Sequence, residues 1–267
     1  MATGPARKGR IYITAGNRGG AGKSTTAHLL ALRLEMQGTK ARIVEVDAEE
    51  RLKKVFGEGR VTSKLITQAE LVSIMEKPEL AFALWEEVGE ILEDGGDVIL
   101  DLGGNLSAAF ADWARQAGEA YIGGGAGIDL LVLCSGDPVA IASAQETLGK
   151  LQPALPEAKR WLVVNPIHAP LEAESEIVKK IAVAYELAGV IELKRCASPV
   201  FGAALDFSEP FSATVQRPYS DFVGRTTSKG TASLGRKMFI DWLTSCMSAL
   251  DPLMAPLPPA GKASKAA

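Results

Sequence analysis

The sequence predicts an α/β fold in which a mainly parallel, twisted sheet is covered by helices on both faces. Short apolar, β-branched runs alternate with amphipathic helical windows along most of the chain. Parallel strands need crossover connections, and these place helices over both sides of the sheet. Polar residues stand directly after several of the apolar runs, at the carboxyl ends of strands, where such sheets carry functional groups.

The individual elements can be assigned in chain order from these runs and windows. Strands are predicted at residues 10–15, 41–46, 98–100, 130–134, 161–164 and 190–193. Helices are predicted at 21–37, at 68–93 in two pieces because Pro78 interrupts the pattern, at 138–150, at 174–188 and around 238–250. We expect a flexible segment at 1–8, one domain at 9–250 and a disordered Pro-, Ala- and Lys-rich tail at 251–267.

Composition excludes several classes of protein. The 267 residues carry a net charge of −3 and three cysteines without C-x-x-C spacing, which argues against disulfide scaffolds and structural zinc. No signal-peptide pattern or apolar run of spanning length is present, so a cytoplasmic protein is expected. The near-neutral charge excludes a wholly basic DNA-coating protein but leaves room for a local basic patch.

The most informative segment is N-R-G-G-A-G-K-S-T-T, which begins at Asn17 between the first strand and the first helix. Its glycines let backbone N–H groups turn inward around an anion at a helix N-terminus. Lys23 adds a cation for the β- and γ-phosphates, and the Ser24 hydroxyl suits Mg²⁺. The alternative is a glycine-rich turn with a surface lysine. The predicted nucleotide-binding residues here are Asn17, Gly19, Gly20, Ala21, Gly22, Lys23, Ser24 and Thr25.

A second segment, D-V-I-L-D-L-G-G, indicates a Walker B strand that ends in Asp101. A buried strand with one carboxylate at its tip is what a Mg²⁺ site beside a nucleotide requires. Gly103 and Gly104 could turn an amide toward the γ-phosphate and so distinguish ATP from ADP. A simple Asp-Gly turn is the alternative.

The loop R-G-G-A-G-K-S-T-T resembles the deviant phosphate loop, K-G-G-x-G-K-[ST]-T, of the ParA/MinD-type ATPases, and the motif order extends over about residues 9–200. The resemblance implies a P-loop NTPase fold, ATP and Mg²⁺ as cofactors, and slow, partner-stimulated hydrolysis in an ATP-dependent homodimer. Arg18 stands where the family has a lysine that reaches the phosphates of the partner subunit, and arginine keeps that charge.

The same resemblance implies roles for three further residues. Asp47 and Glu49 match the aspartates of the family pattern D-x-D-P; Asp47 would hold Mg²⁺ through water, and Glu49 would orient the attacking water. A solvated carboxylate is the alternative for Glu49, a turn residue at the strand end is the alternative for Asp47, and a simple Asn-Pro turn is the alternative for Asn165. Asn165 matches an asparagine that reads the adenine edge, because an amide both donates and accepts. The implied catalytic set is Lys23, Glu49, Asp47 and Arg18, with Ser24, Asp47 and Asp101 as metal ligands.

Two segments near the end of the chain suggest partner surfaces. Residues 217–237 carry five basic side chains and one acidic one, a local net charge of +4, which suits non-specific phosphate contacts with DNA or a solvated basic loop. The last helix has an apolar stripe, for which packing on the domain is favoured over membrane contact. The basic residues are Arg217, Arg225, Lys229, Arg236 and Lys237.

The hypothesis favoured by these patterns is a nucleotide-switched ATPase for DNA or plasmid partitioning, positioning or transfer, stimulated by an unidentified protein partner. Two alternatives remain open. One is a P-loop kinase or ligase for a small molecule, similar to dethiobiotin synthetase. The other is a nucleotide-binding scaffold that hydrolyses little.

Overall fold

Seven parallel strands form one sheet in the computed structural model, which describes residues 9–77, 82–93, 96–116, 127–226 and 228–255. The strands are β1 (Arg10–Ala15), β2 (Arg42–Asp47), β3 (Val61–Leu65), β4 (Val98–Leu102), β5 (Gly127–Cys134), β6 (Lys159–Val164) and β7 (Gly189–Glu192). Their order across the sheet is β3-β2-β4-β1-β5-β6-β7, and all six neighbouring pairs are parallel. The predicted fold class is therefore confirmed.

Helices cover both faces of this sheet. They are α1 (Lys23–Met36), α2 (Arg51–Phe56), α3 (Gln68–Glu76), α4 (Phe82–Glu93), α5 (Ser107–Gln116), α6 (Pro138–Leu151), α7 (Glu176–Ala184), α8 (Phe201–Asp206), α9 (Phe211–Thr214), α10 (Ser220–Val223) and α11 (Lys229–Ala249). Successive residues of β1 enter different cores: Ile11 joins the cluster that contains Trp85 and Trp113, and Tyr12 joins the cluster that contains Phe239. Burial on both faces explains why the central strands read as continuous apolar runs.

Several of the described elements were missing from the sequence assignment, namely α2, β3, α5 and the short helices α8, α9 and α10. The charged stretch 49–60 contains α2, and the strand β3 follows it directly. In β3 only Val61 is buried, because this strand lies at the sheet edge, and its sequence V-T-S-K-L has no apolar run. Helix α5 follows β4 and buries Phe110 and Trp113.

The window 68–93 forms two helices, α3 and α4, as predicted, and Pro78 itself lies outside the described residues. The helix predicted at 174–188 ends at Ala184, because Glu186 adopts a left-handed backbone conformation with φ of 50°.

The predicted disordered tail begins too early. Asp251–Met254 forms a 3₁₀ helix, and Leu253 is fully buried. The Nη1 atom of Arg10 donates hydrogen bonds of 2.7 Å to the carbonyl oxygens of both Leu253 and Ala255. Residues 251–255 are thus part of the domain, whereas 1–8 and 256–267 lie outside the described residues.

The apolar stripe of α11 packs on the domain, as the sequence favoured. Phe239 and Cys246 are completely buried, and the indole Nε1 of Trp242 donates to the carbonyl of Lys194 at 2.7 Å. No helix in the described part of the chain has the length and apolar character needed to cross a bilayer. All three cysteines are free thiols.

Candidate functional site

The glycine-rich loop connects β1 to α1 at the carboxyl edge of the sheet. Gly20 and Gly22 have φ of 70° and 94°, in the left-handed region that favours glycine. A Cβ atom at Gly22 would also lie only 2.2 Å from Nδ2 of Asn165. Since no side chain caps the N-terminus of α1, its first N–H groups are available to an anion.

Lys23, the first residue of α1, lies folded over this loop. Its side chain is buried, and Nζ donates to the carbonyl oxygen of Arg18 at 3.2 Å. Burial lowers the pKa of Lys23, while the carboxylates of Asp101 and Asp47 oppose that shift. Among the described residues Nζ has this one hydrogen-bond acceptor, so donor capacity of the ammonium group is left for an anion.

Asp101 in β4 lies beside the loop. Thr14 of the neighbouring strand β1 donates its hydroxyl to Oδ1 of Asp101 at 2.5 Å, and the Ser24 hydroxyl also hydrogen bonds to this carboxyl group. Burial raises the pKa of Asp101 to about 6, against the opposite effects of these hydroxyls and Lys23. Hydroxyl and carboxylate oxygens are ligands that Mg²⁺ accepts.

The magnesium assignment fits this donor set. Among the described residues no group of three or more His, Cys, Asp or Glu side chains forms a complete cage. Mg²⁺ in nucleotide sites needs no such cage, because it keeps several waters and takes one or two protein oxygens plus phosphate oxygens. Ser24 and Asp101 meet this requirement.

Asp47 and Gly103 come together at the ends of β2 and β4. The N–H of Gly103 donates to the carbonyl of Val46 at 2.7 Å, and a Cβ at Gly103 would lie 3.0 Å from Oδ1 of Asp47. Only glycine allows this close approach. Because the Gly103 amide is engaged, Gly104, which borders the carbonyl of Asn17, is the better placed of the two predicted switch glycines.

Asn165 braces the loop from the other side. It follows β6, and its Nδ2 donates to the carbonyl of Ala21 at 3.0 Å. The sequence assigned this amide to the adenine edge. That role stays a prediction, and the bracing contact with the loop was not visible in the sequence.

Arg18 contacts its own chain in this structure. Its guanidinium forms an ion pair with Asp137, the N-cap residue of α6. Asp137 also accepts from the Ser135 hydroxyl at 2.7 Å and from the backbone N–H of Ala140 at 3.0 Å. Asp137 was not among the predicted site residues, although S-G-D-P after a strand is a recognisable helix start.

Glu49 is exposed, and its Oε2 accepts a 2.9 Å hydrogen bond from Nε of Arg51. This contact holds the pKa of Glu49 below its usual range. Arg51 was not among the predicted site residues, yet its charge lowers the pKa of Lys23 and is itself stabilised by Asp47 and Asp101. The structure therefore adds a second cation to the site.

The basic window is largely occupied with structural contacts. Arg217 pairs with Glu209 at 2.6 Å and with Asp221 at 3.0 Å. Arg225 pairs with Asp206 at 3.3 Å, and Arg236 donates to two backbone carbonyls. Lys229 and Lys237 form no ion pair with the described residues, so the positive charge available to a ligand is smaller than the sequence count of +4.

Solved structures share the fold. MinD from Aquifex aeolicus superposes with a TM-score of 0.51 at 14% identity, over 95% of this chain and 100% of that protein. A variant of McdA from Cyanothece in complex with ATP gives 0.44 at 15% identity, over 94% and 99% of the two chains. Cobyrinic acid a,c-diamide synthase from Mycobacterium smegmatis, with a bound ATP analogue and magnesium, gives 0.43 at 16% identity, over 69% and 87%.

No protein-family profile and no curated protein sequence matches the chain. The two likenesses with TM-scores below 0.5 are too distant to support an argument. The likeness to MinD shows the architecture alone, a seven-stranded parallel sheet covered by helices.

Proposed function

We propose that this chain is a Mg²⁺-dependent ATPase of the ParA/MinD type. The observation that carries the proposal is the arrangement at the edge of β1 and β4, where Lys23 lies over an uncapped glycine-rich loop beside the Ser24–Asp101 pair. This combination provides a phosphate cradle, a mobile cation and oxygen ligands for a divalent metal in one place.

Each residue has a definable task in this proposal. The loop N–H groups and Lys23 would hold the β- and γ-phosphates, while Ser24, Asp101 and Asp47 would hold the metal. Bound Mg²⁺ would neutralise the charge that develops on the phosphate oxygens. Glu49 orients a water whose oxygen bonds to the γ-phosphorus. The bond to the bridging oxygen breaks with its electron pair left on ADP, and one proton is released.

Dimer switching and DNA partitioning, positioning or transfer are the finer parts of the proposal, and they rest on the resemblance of the loop. In a nucleotide-dependent homodimer, Arg18 would leave Asp137 and contact the phosphates of the other protomer. Arg18→Ala should then leave nucleotide binding by the monomer intact and weaken ATP-dependent dimers. Light scattering with ADP and with a non-hydrolysable ATP analogue measures the molar mass and hence the fraction of dimer. If Arg18→Ala dimerised with the ATP analogue as strongly as the native chain, the role of Arg18 would be contradicted.

A small-molecule kinase or ligase is the second candidate, and a cavity favours it. A pocket of about 230 Å³ adjoins the loop and is lined by polar groups of Asn17, Asn105, Glu146 and Lys150. It could admit a small acceptor. ATP turnover that requires an added small molecule would support this candidate over the partition-type ATPase.

The test of the main proposal is Lys23→Ala, with Lys40→Ala as control because Lys40 is an exposed lysine away from the loop. We expect Lys23→Ala to lower the affinity for Mg²⁺–ATP by at least about 100-fold, since charge-assisted phosphate contacts are strong. The control should bind as the native chain does. Unchanged affinity in Lys23→Ala, measured by calorimetry, would contradict the phosphate-loop assignment.

A further inference from the structure

An unusual carboxylate lies inside the second strand. Glu45 is only 1% exposed and stands among the buried apolar residues Val44 and Val46. A buried carboxylate needs hydrogen bonds to offset the loss of hydration. Glu45 accepts from the backbone N–H groups at 51, 52 and 53, at 2.8, 2.8 and 3.3 Å, and from the Ser63 hydroxyl at 3.0 Å.

These bonds fasten the first turn of α2 to the sheet. Three amides that begin the helix share one carboxylate, which satisfies donors that a helix N-terminus otherwise leaves open. The negative charge also suits the positive end of the helix. The backbone of Arg51 is therefore held at a set position beside the ends of β2 and β4.

The side chain of Arg51 is held much less firmly. Its hydrogen-bond partner among the described residues is Glu49, at 2.9 Å, and the two side chains are 57% and 62% exposed. Exposed ion pairs of this kind contribute little to stability, so a stronger anion can replace the carboxylate. Helix α2 begins four residues after Asp47, the last residue of β2, and the backbone N–H of Arg51 is bonded to that strand. The charge of the guanidinium interacts with the charges of Asp47, Asp101 and Lys23.

We propose that Arg51 recognises the γ-phosphate from within its own chain, and that the exchange of Glu49 for this phosphate frees Glu49 to orient water. The inference rests on the proposed ATPase function and deepens it. The guanidinium fork matches two phosphate oxygens, and a phosphate carries more charge than the Glu49 carboxylate. ADP has no γ-phosphate, so with ADP the pair between Arg51 and Glu49 persists. Arg51 thereby couples recognition of ATP to readiness for hydrolysis, and Glu45 is its positioning residue.

The first experiment compares Arg51→Ala, Arg51→Lys and the matched control Lys54→Ala, which removes an exposed cation from the same helix. Calorimetry measures the affinities for ATPγS and ADP, each with Mg²⁺. Arg51→Ala should lose about 10-fold in affinity for ATPγS, and ADP should bind within about 2-fold of the native chain. Arg51→Lys should fall between the two, because lysine keeps the charge without the fork. Lys54→Ala should bind both nucleotides normally.

The second experiment tests the positioning by Glu45 with Glu45→Gln. Hydrogen exchange at the amides of residues 51–53 should accelerate, and the preference for ATPγS over ADP should fall while ADP affinity is retained. If Arg51→Ala affects ATPγS and ADP equally, or affects neither, the inference about Arg51 is overturned. If the native chain binds neither nucleotide, or Lys23→Ala binds both normally, the proposed ATPase function itself fails.

Discussion

Two buried clusters of charge lie at opposite ends of β1, and they are satisfied to different degrees. At the start of the strand, Arg10 donates to Oδ2 of Asp129 through Nε and Nη2, and to two backbone carbonyls through Nη1. The other oxygen of Asp129 accepts from the indole Nε1 of Trp161 at 2.8 Å. Every charged atom of this cluster has a partner within the chain.

The cluster at the end of β1 is incompletely satisfied. With the described residues Lys23 makes one hydrogen bond, of 3.2 Å to the carbonyl oxygen of Arg18, and burial raises the pKa of Asp101 to about 6. The Oδ1 atom of Asn17 is buried without a hydrogen-bond partner in the described part of the chain. Buried polar groups are normally paired, and perturbed ones concentrate at functional sites. The Arg10 cluster is therefore structural, whereas the Lys23 cluster has the incomplete pairing that our proposal of a ligand site requires.

The largest expected effect is on the structural cluster. Arg10→Ala should lower the free energy of unfolding by about 3–5 kcal/mol, because it leaves the Asp129 carboxylate buried and unpaired. Urea denaturation measures the change. The control is Arg33→Ala, which removes an ion pair with the half-exposed Asp251 and should cost less than about 1 kcal/mol. If the two substitutions lowered the free energy of unfolding equally, the Arg10 cluster would be no more important for stability than a surface ion pair, and its structural assignment would be wrong.

A smaller effect of opposite sign is expected in the ligand cluster. Asp101→Asn should raise the free energy of unfolding at pH 7.5 by about 1–3 kcal/mol, because the ionised carboxyl group is penalised by burial. The folded pKa of about 6 lies above the ordinary value of 3.8, so the native chain binds the proton more tightly than the unfolded chain. The contribution of Asp101 to the free energy of unfolding of the native chain therefore falls as the pH rises from about 4 to 6.

The gain in Asp101→Asn should accordingly vanish near pH 4, where both folded proteins carry a neutral side chain. Thermal unfolding at the two pH values measures this, with a rise of about 2–4 °C per kcal/mol at pH 7.5. The variant should lose Mg²⁺-dependent nucleotide affinity at the same time. If the variant were less stable at pH 7.5, the hydrogen bonds accepted by the Asp101 carboxylate would outweigh the cost of burying its charge, which would contradict this prediction.

The smallest effect concerns the basic window at residues 217–237. Its arginines resemble Arg10, because they already have hydrogen-bond or ion-pair partners within the chain. If residues 217–237 bind DNA, Lys229 and Lys237 should carry the contact. Replacing both by alanine should then reduce the slope of log affinity against log salt by about 2 for duplex DNA. Arg225→Ala should change the slope less, because Arg225 pairs with Asp206. A native chain without salt-sensitive DNA binding would remove the DNA role and leave the ATPase proposal intact.

Sequence reasoning succeeded where structure depends on neighbours along the chain. The apolar run at 10–15, the glycines that follow and the helix after Lys23 are local features, and the structure has all three. The sequence-based assignment failed at β3. This strand lies at the edge of the sheet and is largely solvent-accessible, so its sequence lacks the apolar run by which the central strands were recognised. The assignment also failed at α9, which is short and is supported by the stacking of Phe211 on His28, 183 residues earlier.

Local patterns in the sequence were sufficient to predict the parallel fold and to suggest a nucleotide as ligand, because glycine spacing, strand runs and a lysine before Ser24 act within about ten residues of one another. The fold is confirmed, whereas the ligand stays a prediction, and the contacts among these groups became visible only in the folded chain. Arg18 meets Asp137 over 119 positions, and the buried Glu45 fastens the turn that carries Arg51 beside Asp47 and Asp101. Such contacts depend on the order of the strands in the sheet and on which charged side chains are buried next to one another. The spacing of residues along the chain does not determine either of these.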